Sequence, residues 1–302
     1  MGVVEKAAGS VHDITETLVR SDVAHAGKAQ SFDLDYSRFA EIGLYRPDVR
    51  DSQLALELRA VKRRLLRRIG FLRASGERQA FRMPGRQRNL VLVTSTRAGE
   101  GKTFCATNLA LSLALEDQID TLLIDADVPR PKVRAQFGLP AARGLTDVLL
   151  DGSIPPSGVQ YRANQAPLTI MPEGASVDRS SDLFAGEAAE RLFAQLSRQA
   201  PDQMILIDAP PVLATTDAVV LAKYVDEIIF VVESNTTPEP AVASAIDELL
   251  DINPNVNLML NRCMIGAGGS HYGSYEYYGS SPVPSENGRR TAQMEGPSDG
   301  EV

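Results

Sequence analysis

Residues 89–103 read Asn-Leu-Val-Leu-Val-Thr-Ser-Thr-Arg-Ala-Gly-Glu-Gly-Lys-Thr, and they decide the fold. Leu90–Val93 is a continuous apolar run of strand length, and Lys102 to about Leu115 reads as a helix. Between them lies a glycine turn ending in Gly-Lys-Thr, the setting a phosphate-binding loop requires. Glycines let successive backbone N–H groups turn toward one point, and the helix N-terminus adds partial positive charge there. Lys102 would reach the β- and γ-phosphates of a bound nucleotide, and the Thr103 hydroxyl would ligate Mg²⁺. Arg97, Ala98, Gly99, Glu100, Gly101, Lys102, Thr103 and Phe104 are therefore the candidate nucleotide-binding residues. The strict pattern has Gly where this chain has Thr96, so the motif is a relaxed one. The strand before it and the helix after it favour nucleotide binding over a tight turn with a surface lysine.

Downstream, short apolar runs alternate with helical stretches. Strands are expected at Thr121–Asp125, Leu168–Met171, Met204–Asp208, Glu227–Val232 and Val256–Leu260, with helices at about Asp182–Ser197 and Glu239–Leu250. Continuous apolar strands separated by helices imply an α/β fold: a P-loop NTPase-type sheet of mostly parallel strands with helices on both faces. Ligands of such sheets bind beyond the carboxyl ends of the strands. There Leu122-Leu123-Ile124 runs into Asp125 and Asp127, and Ile205-Leu206-Ile207 runs into Asp208. A phosphotransferase needs an acidic group at its magnesium and a group to orient or deprotonate the attacking hydroxyl. Three carboxylates at one sheet edge supply both: Asp208 and Asp127 are candidates for the metal, Asp125 and Asp127 for the catalytic group, and the division between Asp125 and Asp127 stays open. Asp217, at the start of a candidate helix, reads as an N-cap.

The chain has 302 residues, 43% hydrophobic and 23% charged, which excludes wholesale disorder. A net charge of −8, no Trp and 6% aromatics argue against a nucleic-acid surface, and no nucleic-acid partner is expected. The charge is uneven: residues 57–88 hold 11 basic and 2 acidic side chains, a local +9, so the remainder carries −17. Within that block Leu54, Leu58, Val61, Leu65, Ile69 and Leu72 recur at spacings of three and four, which predicts a helix over 51–72 with one apolar face. Its basic side suits docking or oligomer contact better than anionic lipid, since no aromatic anchors stand out. Two cysteines, Cys105 and Cys263, form no disulfide framework, and His12, His25 and His271 are too scattered to bind metal together. No run approaches the roughly 20 apolar residues of a spanning helix, and residues 1–6 do not resemble a signal peptide. The expected location is the cytoplasm, with a peripheral place at the inner face of the plasma membrane as the alternative.

The expected organisation is an irregular extension over 1–50, a basic amphipathic helix and linker over 51–88, a nucleotide-binding domain over 89–265 and a flexible tail over 266–302. The tail is rich in Gly, Ser and Pro and lacks apolar periodicity. It nevertheless holds Tyr272, Tyr275, Tyr277 and Tyr278, four of the chain's eight tyrosines within seven residues. Tyrosine prefers burial, so such a cluster in a polar segment reads as a substrate strip rather than compositional drift. Each phosphate would add roughly −1.5 to −2 charges.

These features together resemble the bacterial tyrosine kinases of exopolysaccharide loci, including the exosortase-associated autokinases. The resemblance rests on the loop at 95–103, Asp-Ala-Asp-Val-Pro-Arg-Pro at 125–131, Ile-Asp-Ala-Pro-Pro at 207–211 and the tyrosines at 272–278. It implies Walker A roles for Lys102 and Thr103, Walker A′ roles for Asp125 and Asp127, and a Walker B role for Asp208. It implies ATP and Mg²⁺ as cofactors, and autophosphorylation of the tail tyrosines in trans within a ring-like homo-oligomer. Its implied partners are a membrane protein controlling polysaccharide chain length and export, and a phosphotyrosine phosphatase. Asn261 and Arg262 look like the purine-contacting residues of the wider partitioning-ATPase superfamily. Three positions depart from the pattern: Pro129 stands where the A′ arginine is usual, with Arg130 one further on; Ala60 stands between Glu57 and Arg63 in the oligomerisation helix; and Arg97 stands where partitioning ATPases place an intersubunit lysine. Two alternatives therefore stay open, an ATPase switch without tyrosine transfer and a nucleotide-binding scaffold for a membrane partner.

Overall fold

The computed structural model describes residues 28–49, 52–71, 88–116, 119–200 and 202–263. Eight strands form one sheet: β1 (Gln30–Phe32), β2 (Leu90–Ser95), β3 (Asp120–Asp125), β4 (Tyr161–Ala163), β5 (Leu168–Met171), β6 (Gln203–Asp208), β7 (Glu227–Glu233) and β8 (Val256–Asn261). Their order is β1-β4-β5-β3-β6-β2-β7-β8, and every pairing is parallel except β4 with β5. The helices are α1 (Tyr36–Ile42), α2 (Gln53–Arg68), α3 (Lys102–Leu113), α4 (Val133–Gln136), α5 (Leu145–Leu150), α6 (Ser180–Ala185), α7 (Glu187–Gln199), α8 (Asp217–Ala222) and α9 (Glu239–Leu250).

Strand alternation divides the core in two. Val91, Val93, Leu123, Leu206, Ile229 and Val231 face one cluster, shared with α1, α2 and α3. Leu90, Leu92, Leu122, Ile124, Ile205, Ile207, Ile228 and Phe230 face the other, under α6 to α9. A strand covered on both sides cannot alternate with polar residues, which is why these segments are apolar throughout. Helix α2 starts where the Ser52 side chain accepts from Ala55 N, and the chain turns away at Gly70, φ +83°. Leu58, Leu65 and Leu66 bury its apolar stripe, and Lys62 docks it on α3, with Nζ 2.9 Å from Ser112 O and 2.8 Å from Glu116 Oε1. Part of the basic block is used internally: Arg68 and Arg88 reach the buried Glu227 at 2.7 and 3.2 Å.

Three expectations are corrected. Residues 30–42, expected to be irregular, hold β1 and α1. Strand β1 is three residues with little burial and α1 buries one residue, Phe39, so neither leaves a periodic signal. The helix expected over 182–197 is two helices broken at Gly186, whose extended backbone (ψ 161°) interrupts the helical turn. The cap of α8 is Thr216; Asp217 lies inside, fully buried, accepting from the Ser180 and Ser181 hydroxyls. Asp51 and Leu72, the expected ends of the basic helix, and the tail with Tyr272, Tyr275, Tyr277 and Tyr278 lie outside the described residues. Among the described residues no helix is long and apolar enough to cross a membrane.

Candidate active site

The loop between β2 and α3 is built as the sequence implied. Gly99 and Gly101 take φ +97° and +92°, a region that L side chains rarely adopt. Thr96 is absent from the positive-φ residues, so the position needs no glycine and the relaxed motif costs the backbone nothing there. A Cβ on Gly101 would stand 2.1 Å from Asn261 Nδ2, which itself donates to Glu100 O at 2.9 Å. Glu100 is 3% exposed and folds the loop onto itself: Oε2 accepts from Arg97 N and Oε1 from the Thr237 hydroxyl at 2.6 Å. Thr237 is a residue the sequence reading missed, because the contact spans 137 positions.

The three acidic strand ends converge on the loop. In register, Val93 of β2 lies beside Asp208 of β6, and Asp208 beside Asp125 of β3. Lys102 Nζ sits 2.5 Å from Asp127 Oδ2, 3.6 Å from Asp208 Oδ1 and 3.2 Å from Thr103 Oγ1. Burial works against the Lys102 charge, yet the carboxylates of Asp208 and Asp127 outweigh it and raise its pKa. Burial raises the pKa of Asp125, and repulsion from Asp208 adds to the effect. Burial likewise raises that of Asp208, with Lys102 opposing.

Neither oxygen of Asp208 has a hydrogen-bond partner, although the residue is fully buried. A buried carboxylate whose ion-pair partner Lys102 stands 3.6 Å away is costly unless a further cation completes it. With Thr103 and Asp127 alongside, the donors form a hard oxygen set that fits Mg²⁺. Asp125 is different. Its Oδ1 accepts from Asp127 N at 3.1 Å, and its Oδ2 accepts from Lys132 N at 3.0 Å and Val133 N at 2.9 Å. These contacts hold the path of the loop that carries Asp127, and Asp125 is fully buried.

The remaining candidates are placed as follows. Arg97, Ala98 and Gly99 are exposed on the outside of the loop. The Phe104 ring packs into the apolar cluster beneath α1, which leaves its main chain as its contribution to the loop. Arg262 takes φ +56° and pairs with Glu233 at 2.7 Å. The sequence reading also missed Glu173, whose Oε1 accepts from Arg134 Nε at 3.1 Å, and an open cleft of about 460 Å³ lined by Pro129, Val177–Asp182 and Thr215–Asp217. A cleft of this kind leaves no local sequence pattern, since its two long walls lie over 30 residues apart.

No protein-family model matches the chain. Individual proteins do. The tyrosine-protein kinase YwqD of Bacillus subtilis is 32% identical over 200 residues, spanning 66% of this chain and 81% of that protein. The chain belongs to the bacterial tyrosine-protein kinases. The succinoglycan biosynthesis transport protein ExoP of Rhizobium meliloti is 33% identical over 179 residues, 58% of this chain but 22% of ExoP. Among the curated relatives the share covered runs from 19% to 86% of their length. The solved VpsO kinase domain is 34% identical, with a TM-score of 0.54 over 59% of this chain and 86% of that one. Membership makes this protein a nucleotide-using tyrosine kinase on a P-loop sheet.

Proposed function

We propose that this kinase transfers the γ-phosphate of ATP, bound as its Mg²⁺ complex, to Tyr272, Tyr275, Tyr277 and Tyr278 of a neighbouring copy, and that the modification regulates exopolysaccharide chain length and export. The observation that carries the reading is Lys102 held between Asp127 and Asp208 at the mouth of the glycine loop. Lys102 and the amides of 99–103 hold the phosphates. Thr103, Asp127 and Asp208 would hold Mg²⁺, which would supply positive charge against the phosphates. The tyrosine oxygen forms the new bond to phosphorus as the bridging oxygen leaves with ADP. Asp125 orients the tyrosine hydroxyl or accepts its proton, while Asp127 is engaged by Lys102 and the main chain of Arg130. Asn261 and Arg262, beside the loop, are assigned to the purine. Catalysis is then largely positioning and charge stabilisation.

The partners proposed with this function are a membrane protein of polysaccharide export, further copies of the chain and a phosphotyrosine phosphatase; the location is the cytoplasm at the membrane's inner face. Glu57, Arg63 and Arg64 lie exposed on α2, opposite its buried stripe, and suit contact between copies. The test is phosphotyrosine mapping by mass spectrometry after incubation with Mg·ATP. Wild-type protein should label within 272–278, and Lys102→Met should lose the label while keeping its circular dichroism. Hydrolysis of ATP without any phosphotyrosine would favour a partitioning-type switch, and labelled Lys102→Met protein would place the site elsewhere.

A further inference from the structure

The catalytic segment from Asp125 to Val133 ends in a helix, α4, of four residues. A helix that short does not hold itself, so its position is set by its neighbours. Its first turn is held by the Asp125 carboxylate through Lys132 N and Val133 N. Its flank is held by Arg134 on Glu173, and by the Thr107 hydroxyl of α3 on Gln136 Oε1 at 2.6 Å. Its far end is held from the N-terminal segment. Arg38 of α1 donates from Nη2 to Ala135 O at 2.6 Å and from Nε to Gln136 O at 3.1 Å.

Arg38 is itself firmly placed. The Asp35 side chain caps α1 and accepts from Arg38 N at 3.0 Å. Phe39, next in sequence and fully buried, meets the Phe137 ring edge-on at 5.6 Å, directly after α4. At the other end of the segment Tyr45 N donates to Asn108 Oδ1 of α3, the helix that begins with Lys102. Residues 35–45 thus bridge the two pieces of backbone that carry the phosphate lysine and the A′ aspartates.

We infer that Arg38 is a positioning residue for Asp127: by fixing the end of α4 it sets the path of the 126–132 loop, and so the presentation of Asp127 to Mg²⁺–nucleotide. The inference rests on the proposed role of Asp127. Its distinctive signature is metal dependence. Losing Arg38 loosens the loop that brings the metal-facing carboxylate, while the glycine loop that grips the phosphates keeps its own supports in Glu100 and Thr237.

The experiment is binding of a fluorescent ATP analogue to the full chain, titrated with Mg²⁺ and repeated with the metal chelated, alongside thermal melts. In Arg38→Ala the Mg²⁺ concentration for half-maximal binding should rise on the order of 3- to 10-fold, with metal-free binding unchanged. Arg38→Lys, which keeps a charged donor but not the fork, should fall between. Arg46→Ala, which removes the Arg46–Asp48 ion pair on the same segment, should match wild type. An unchanged Mg²⁺ requirement in Arg38→Ala overturns the inference even if its melting temperature drops, because that is a purely structural role. An equal loss of affinity with and without metal overturns it too. If Arg38→Ala is too unstable to assay, an Arg38→Lys protein with wild-type Mg²⁺ dependence has the same force. Wild-type protein indifferent to Mg²⁺ would sink the metal reading as well, whereas a metal-dependent wild type matched by Arg38→Ala would sink this inference alone.

Discussion

Asp208 is fully buried and accepts no hydrogen bond, and its ion-pair partner Lys102 stands 3.6 Å away, with Asp127 and Asp125 beside it. Burial and mutual repulsion raise the pKa of Asp208 and Asp125 above the ordinary carboxylate value. The folded protein then binds more protons than the unfolded chain, so their contribution to stability is complete below about pH 4 and is lost as pH rises through the raised values. Thermal melts without nucleotide should therefore show the midpoint falling from pH 5 to pH 8; a rising midpoint would contradict the assignment. Asp208→Asn should flatten that slope and raise the midpoint at pH 8, while abolishing the stabilisation that Mg·ATP gives the wild type. These acids were legible in the sequence because each ends an apolar run beyond a glycine loop. Arg38, Glu173 and Thr237 were not, because their partners lie 98, 39 and 137 positions away and no local pattern records such contacts. Asp217 misled for a related reason: an acid at a helix start looks like a cap whether or not two serines wait across a loop.

At the level of elements, the strands that position the site were readable because they are buried on both faces, and their apolar runs are uninterrupted. Strands β1 and β4 escaped because each has three residues and lies toward the sheet margin. Helix α2 was readable from its stripe, and its docking gives a direct test. Leu58 is 2% exposed in the cluster shared with α3, and Leu56 on the same helix is 51% exposed. Leu58→Ala should cost about 2–5 kcal/mol in urea unfolding, whereas Leu56→Ala should stay within about 0.5 kcal/mol. Equal effects would mean that α2 is not held to the sheet by its apolar side. The outward basic residues of that helix would be unaffected by either change, which separates its internal packing from any contact between copies.

For the whole molecule, transfer between copies has a kinetic consequence. Mixed with wild-type enzyme, Lys102→Met protein should acquire phosphotyrosine, at an initial rate that falls on dilution; labelling confined to the wild-type copies would argue for transfer within one chain. Arg63→Glu, reversing a charge on the exposed side of α2, should slow that labelling and shift the protein toward monomer in size-exclusion chromatography. The cysteines offer a way to follow such exchange. Cys105 lies within α3, 3% exposed, where burial and then the Asp208 charge push its thiol up to about 12. Cys263 is exposed immediately beyond β8 and is the second of only two in the sequence. A maleimide dye added to the native protein will therefore mark a single position, at the point where the backbone departs from the sheet, and donor- and acceptor-tagged batches of unaltered sequence can report subunit mixing by energy transfer.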